Sequence, residues 1–161
     1  MEILKYGLLL ALAIALVVAA VSDLRERKIA NWLNIAIAAG APLFWFASGM
    51  AFWPDMVIQL GLAFVVFWAF AALFALGLLG GGDVKLLGAL ALWLTPLAFL
   101  DLLLVMAFVG GAIAVAFIVR RVVFKPKTQG TLPYGVAITA GALWVLGWTH
   151  LPSANLTNAL G

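Results

Sequence analysis

The stretch "ILKYGLLLALAIALVVAAV", residues 3–21, has nineteen residues, of which only Lys5 is charged. A helix of this length is long enough to cross about 30 Å of hydrocarbon. The next seven residues, "SDLRERK" at 22–28, include five charged ones. This junction predicts a helix whose apolar part ends at a membrane boundary, with the carboxylate of Asp23 just beyond it.

The whole chain shares this apolar character. Its 161 residues are 67% hydrophobic and 9% charged, and a soluble domain of this size cannot bury so much apolar surface. Prolines in "WPD" at 53–55 and "TP" at 95–96 indicate breaks between helices. The sequence therefore predicts an all-α polytopic membrane protein, with one domain over residues 1–161 and six transmembrane helices near Ile3–Val21, Trp32–Met50, Met56–Leu79, Val84–Leu100, Leu102–Val119 and Leu132–Leu151.

The basic residues predict the orientation of these helices. With six spans, the connections after spans one, three and five lie on one side of the membrane. That side, including the span ends next to these connections, has Arg25, Arg27, Lys28, Lys85, Arg120, Arg121, Lys125 and Lys127. The other side has only Lys5. Because cytoplasmic loops carry the excess of Lys and Arg, we expect those three connections in the cytoplasm and both termini on the extracytoplasmic side. The net charge of +3 then reports topology and not nucleic-acid binding.

The residue types narrow the possible chemistry. The chain has no cysteine, which excludes a disulfide framework, a cysteine-ligated zinc and a cysteine nucleophile. Its single histidine, His150, argues against histidine-based metal sites and Ser-His catalysis. We therefore expect no metal and no cofactor.

Two of the six acids are expected at the same membrane depth. Asp23 follows the first span and Asp83 opens the fourth, sixty residues later, both at the cytoplasmic side. Two carboxylates that meet there can share a proton, because like charges at close range do not both ionise easily. One can then activate a water as a base while the other protonates the departing group.

The glycine run "GGGD" at 80–83 lets the backbone approach another helix or an extended substrate closely. In lipid such a segment is tolerated only against protein or a wet cavity, so the run predicts a pocket at the inner boundary. The alternative, equally open from spacing alone, is a flexible turn with Asp83 capping the fourth span.

Three motifs carry a resemblance to a known family. "GGGD" resembles the Gly-x-Gly-Asp signature of membrane aspartic proteases, and the following "VKLLGALALWL" is similar to the type IV prepilin peptidases. "SDLRERKIANWLN" at 22–34 resembles that family's Asp-x-x-x-x-basic-Ile-Pro-Asn motif, with Ala30 in the place of the proline. "LPYGVAITAGAL" at 132–143 resembles its last-helix motif.

The resemblance implies a fold, a reaction and a site. It implies that the protein cleaves prepilins, which have a short basic leader followed by a hydrophobic helix, in the inner membrane of a bacterium with the active site facing the cytoplasm. The expected partners are the prepilin and the lipid bilayer, with no nucleic acid, and the oligomeric state is left open. The implied catalytic residues are Asp23 and Asp83, and the implied supporting residues are Gly80, Gly82, Lys85, Lys28, Asn31, Tyr134 and Gly135.

The absence of cysteine refines the resemblance. Larger prepilin peptidases carry a methyltransferase portion with a cysteine-rich, zinc-binding loop, so this chain is most similar to the short Tad/Flp-type prepilin peptidases. It is also similar to the archaeal preflagellin peptidases, whereas kinship to presenilin-type proteases is remote, because neither Tyr6 nor Tyr134 precedes an aspartate.

Two other hypotheses for the function, and the assignment of base and acid to the two aspartates, remain open. A non-proteolytic carrier would more naturally place its acids near the bilayer midplane, and a pilus-assembly subunit would need neither aspartate for turnover. Within the protease reading, helix polarity predicts Asp83 as the base, because it begins a helix, and Asp23 as the acid, because it ends one. The positive charges of Arg25, Arg27 and Lys28 act against that assignment.

Overall fold

The computed structural model describes residues 1–124 and 134–150, and every regular element in these ranges is helical. A short π-helical turn, Phe52–Met56, precedes the third helix. The all-α prediction is confirmed over these ranges, while Lys125, Lys127, Leu132, Pro133 and Leu151 lie outside them. The six helices are α1 (Glu2–Glu26), α2 (Asn31–Ala47), α3 (Val57–Ala75), α4 (Gly81–Leu90), α5 (Pro96–Phe124) and α6 (Tyr134–His150).

Within the described ranges, three segments are long and apolar enough to cross a membrane: Glu2–Glu26, Phe52–Ala75 and Pro96–Arg120. Helix α2 is apolar but shorter. Many large apolar side chains on these helices are exposed, for example Phe64 and Phe108, which a lipid environment would cover. The expectation of six spans, and of the side on which each terminus lies, stays a prediction.

Helices α4 and α6 lie at the centre of the packing. Helix α6 packs against α1, α4 and α5, and α4 also packs against α2 and α3. The contact between α5 and α6 depends on small residues. A Cβ at Gly141 would lie 2.8 Å from the carbonyl oxygen of Leu102, which is too close. A Cβ at Gly110 would lie 3.7 Å from the Cβ of Ala137, an ordinary van der Waals distance. Gly141 therefore permits the close approach of α5 and α6.

The fourth predicted helix, Val84–Leu100, is wrong in its extent. Helix α4 ends at Leu90, after 10 residues, so it is about 15 Å long, half the thickness of the hydrocarbon core. The chain leaves the helix over residues 91–95, and α5 begins at Pro96. Proline suits the first turn of a new helix because it has no N–H to donate to a preceding turn. Asp101, expected between two spans, therefore lies within α5, where it is exposed.

Side chains from neighbouring helices satisfy the carbonyl groups exposed where α4 ends. The buried amide of Gln59 in α3 donates from Nε2 to the carbonyl oxygens of Ala91, at 3.0 Å, and of Leu94. The Trp45 indole in α2 donates to the carbonyl oxygen of Leu92 at 2.8 Å. Non-helical backbone at membrane depth needs such partners, since no water reaches it. This explains the lone amide in an otherwise apolar α3.

We expect Gln59→Leu to destabilise the protein without touching the site. It leaves two buried carbonyl groups without this donor, and each costs about 1–3 kcal/mol in the free energy of unfolding. Unfolding by denaturant in detergent micelles measures this loss. The neighbouring Leu60→Ala, at an exposed position, should change stability little. A Gln59→Leu protein as stable as Leu60→Ala would contradict the capping role.

Candidate active site

Asp23 lies in the last turn of α1, and its side chain is buried. The helix stops at Glu26 because Arg27 adopts a left-handed conformation, with φ 56° and ψ 30°, and its N–H donates to the carbonyl oxygen of Asp23 at 3.0 Å. The Ser22 hydroxyl then donates to the carbonyl oxygen of Lys28 at 2.7 Å. These bonds turn the chain back toward α2 and hold the reversal beside the Asp23 carboxylate.

The loop keeps its shape at the position where the family motif has a proline. Ala30 has φ −63° and ψ 136°, and a proline would fix φ near the same value. Helix α2 then begins at Asn31. The alanine therefore leaves this backbone path unchanged.

Asp83 is the third residue of α4, and its side chain is also buried. Its carboxylate lies over Gly80, where a Cβ would be 2.8 Å from Asp83 Oδ2. A Cβ at Gly82 would lie 3.2 Å from that of Ile29, in the loop after α1. Because Gly80 has no side chain, the Asp83 carboxylate can lie over it. Because Gly82 has none, the start of α4 can approach the loop that follows Asp23.

Both aspartates line one cavity of about 450 Å³. It contains six of the residues expected at the site: Asp23, Asp83, Gly80, Gly82, Lys28 and Asn31. The remaining wall comes from Ser22, Glu26, Arg27, Ile29 and Ala30. The pocket expected beside the glycine run is thus present, and it joins the end of α1 to the start of α4.

The start of α6 holds the Asp23 carboxylate. The Gly135 N–H donates to Asp23 Oδ2 at 2.9 Å, and a Cβ at Gly135 would lie 3.0 Å from that of Asp23. Gly135 is the second residue of α6, where backbone N–H groups have no partner within the helix. Tyr134 is not among the residues that line the cavity, and its ring lies toward Gly110 of α5.

Lys85 lies beside the cavity but does not line it. Its exposed Nζ donates to Asn31 Oδ1 at 2.9 Å. The two-residue spacing from Asp83 directs the lysine to another face of α4. Lys85 lines a neighbouring cleft instead.

The surroundings of Asp83, which lies outside the three span-length segments, favour its protonated form more than those of an exposed aspartate do. Burial, together with the nearby Asp23 carboxylate, raises the pKa of Asp83 to about 6, against an opposing hydrogen bond from the backbone of Gly80. At Asp23, the Gly135 N–H and the Arg27 charge offset part of the cost of burying a carboxylate. The favourable effect of helix polarity on the ionised form of Asp83 is therefore outweighed, and its pKa lies above the ordinary value. A helix terminus contributes about 0.3–1 kcal/mol, less than burial and a like charge together.

The described residues offer a carboxylate pair and no evident metal site. In residues 1–124 and 134–150, no group of three or more His, Cys, Asp or Glu side chains could hold a metal ion. Two buried carboxylates with one shared proton can act as a base and an acid on the same bound molecule.

Comparison with known proteins identifies the family to which this chain belongs. The profile of the type IV leader peptidase family matches residues 10–115, which include both aspartates. The chain belongs to the type IV leader peptidase family. It is 34% identical to the leader peptidase HopD of Escherichia coli over 124 residues, which cover 68% of this chain and 76% of that one. No solved structure matches. Membership in the leader peptidase family supports a protease and, with the apolar helices, a multi-pass membrane protein.

Sequence reasoning missed Gln59 and left Asn34 unresolved. A lone amide in an apolar span is itself a signal, because polar groups are expensive in lipid. Asn34 belongs to α2, and its amide donates from Nδ2 to the carbonyl oxygen of Gly82 at 3.5 Å. It thus connects α2 to the glycine run before Asp83.

Proposed function

We propose that this leader peptidase is a membrane aspartic endopeptidase that removes the short basic leader of a Flp-type prepilin at the cytoplasmic membrane boundary. One observation carries the proposal: Asp23 and Asp83, from α1 and α4, line the same cavity. The raised pKa of Asp83 supports a pair that holds one proton. The proposal includes six spans, extracytoplasmic termini and a bacterial inner membrane.

The two carboxylates have different roles in proton transfer. The ionised Asp23 takes a proton from a water molecule, whose oxygen attacks the scissile carbonyl carbon. Asp83 gives its proton to the carbonyl oxygen, which produces a neutral tetrahedral diol. When that diol collapses, the C–N bond breaks, the proton from Asp23 passes to the leaving nitrogen, and Asp83 recovers its own. The Gly135 N–H orients the Asp23 carboxylate for the first step.

Charges around the cavity fit a substrate at the membrane boundary. Glu26 and Asp23 offer negative charge to a basic leader, while Arg27 and Lys28 line the same cavity. We infer that these two basic residues set the orientation of the protein in the membrane and contact anionic headgroups. The prepilin then presents its leader to the polar cavity and its hydrophobic helix to the bilayer.

The direct test uses the purified protein in liposomes with a Flp-type prepilin. Mass spectrometry should find one cut, between the basic leader and the apolar segment, and protein-free liposomes should give none. A carrier or a non-enzymatic assembly subunit predicts no cut. An intact prepilin after prolonged incubation with folded protein would end the proposal.

The pH dependence of cleavage follows from Asp83. The first step needs a proton on this carboxyl, whose pKa is raised to about 6, so kcat/KM should fall as the pH rises above that value. The decrease of kcat/KM with pH reports the titration of the coupled pair of aspartates and not of Asp83 alone. Kinetics in liposomes buffered between pH 5 and 8 measure it. A constant kcat/KM over this range would contradict a proton held by Asp83.

A further inference from the structure

A second cleft, of about 430 Å³, adjoins the aspartate cavity. It lies between α2, α3 and α4, and Asn31 lines both spaces. Its wall is mostly apolar, with three polar side chains, and consists of Asn31, Asn34, Ile35, Ala38, Ala63, Phe67, Lys85, Gly88, Ala89 and Leu92. The cleft therefore extends from the proposed site along apolar helix faces.

One polar group in this wall has an unmet hydrogen bond. Asn34 is 5% exposed, and its Oδ1 has no partner among the described residues, although its Nδ2 reaches the carbonyl oxygen of Gly82. A buried acceptor without a donor is costly. Asn34 Oδ1 is enclosed while the cleft is empty, so a donor on an occupant bonds to it once the amide turns toward the cleft. Nearby, the Lys85 ammonium bound to Asn31 can donate to an oxygen of the same occupant. A peptide unit has both groups, an N–H and a C=O.

We propose that this cleft holds the first apolar residues after the scissile bond of the substrate, in extended form, with a backbone N–H that bonds to Asn34 Oδ1 after the amide turns toward the cleft. This inference rests on the proposed function and names its subsite. The polar cavity suits the basic leader, whereas the apolar wall suits the segment that continues into the bilayer. A phospholipid fits the apolar wall, but its phosphodiester has no donor for Asn34.

Two adjacent alanines in α2 provide a matched test. Ala38 lines the cleft and Ala39 is exposed outside it. Ala38→Phe fills the cleft, so the KM for the prepilin should rise about tenfold or more, which corresponds to the loss of about one apolar side chain's contacts. Ala39→Phe adds the same bulk elsewhere and should leave KM unchanged. Equal KM values for two folded variants, compared by their thermal unfolding, would overturn the inference.

A cross-linking pair on α3 identifies the occupant. Phe67 lines the cleft, whereas Phe64 is exposed one turn away and does not. Each is replaced by the photoreactive p-benzoylphenylalanine in an Asp83→Asn background, which keeps the prepilin intact. Position 67 should attach to residues just after the scissile bond, and position 64 should not. Attachment to the leader, to phospholipid alone, or equally from both positions would overturn the inference.

The two proposals fail separately. If the unaltered protein cleaves the prepilin but Ala38→Phe behaves like Ala39→Phe, the subsite is wrong and the peptidase assignment stands. If the unaltered protein leaves the prepilin whole, the peptidase assignment fails, and attachment at position 67 still reports whether an apolar peptide occupies the cleft.

Discussion

We expect Asp23→Asn and Asp83→Asn each to reduce kcat/KM for prepilin cleavage by at least about 10³-fold. Asparagine keeps the size of the side chain but can neither take the proton from water nor deliver one to the carbonyl oxygen. Because the two carboxylates act as a unit, we expect the double variant to be hardly slower than either single one. Quantitative cleavage in liposomes gives all three values.

Two other aspartates provide the controls. Asp101 is exposed on α5, and Asp55 Oδ2 accepts a hydrogen bond from the Ala51 N–H in the turn before α3. Neither lines the cavity, so Asp101→Asn and Asp55→Asn should retain most of the activity. An Asp23→Asn or Asp83→Asn protein that kept more than a tenth of the activity would exclude the two-carboxylate mechanism.

Gly135→Ala is expected to lower kcat/KM by about 10²-fold although it removes no reacting group. The added Cβ would lie 2.9 Å from Asp23 Oδ2 and 3.0 Å from its Cγ, too close for a carbon atom, so the carboxylate must move. A displacement near 1 Å in a reacting group can cost about this much. Steady-state kinetics should show the loss mainly in kcat, because the glycine contacts the aspartate.

A matched glycine separates this displacement from a general effect on helices. Gly111, in α5, has open space around a built Cβ, so Gly111→Ala should leave kcat/KM and thermal stability nearly unchanged. Gly135→Ala should unfold at a similar temperature and still bind the prepilin. A Gly135→Ala enzyme as fast as Gly111→Ala would show that the contact between Gly135 and Asp23 does not position the carboxylate.

Much of the fold could be predicted from apolar run lengths, because an isolated helix in lipid must satisfy its own backbone. The extent of α4 could not. Leu92 and Leu94 look like the middle of a span, but Gln59 and Trp45, from two other helices, bond to the carbonyl groups there and make it possible for the helix to end at Leu90. That information lies in tertiary contacts and not in local composition.

In the site, too, some features could be predicted from the local sequence and others depend on tertiary contacts. Asp23 and Asp83 were expected together because their spans end at one depth, and the structure places both in one cavity. Gly135, 112 residues from Asp23, was named through the family resemblance alone, since no local pattern predicts that contact. The protonation of Asp83 was predicted in the wrong direction, because helix polarity is visible in a sequence while burial is not. Lys85 and Tyr134 lie next to the cavity rather than in its wall.

The meeting of the α1 loop with the start of α4 can be measured by a disulfide. The chain has no cysteine, so an introduced pair gives no background. A Cβ at Gly82 would lie 3.2 Å from that of Ile29, close to the roughly 3.5–4.5 Å between bridged cysteines. Ile29→Cys with Gly82→Cys should therefore cross-link in native membranes under mild oxidation. Gly110→Cys with Ala137→Cys, at 3.7 Å, is the positive control, and Ile29→Cys with Gly61→Cys is the negative one.

A bridge between positions 29 and 82, visible as a mobility shift that a reductant reverses, is the predicted result. If the control pair at 110 and 137 cross-links while the pair at 29 and 82 stays reduced, the loop after Asp23 does not reach the glycine run before Asp83. The shared cavity, and the mechanism built on it, would then be contradicted.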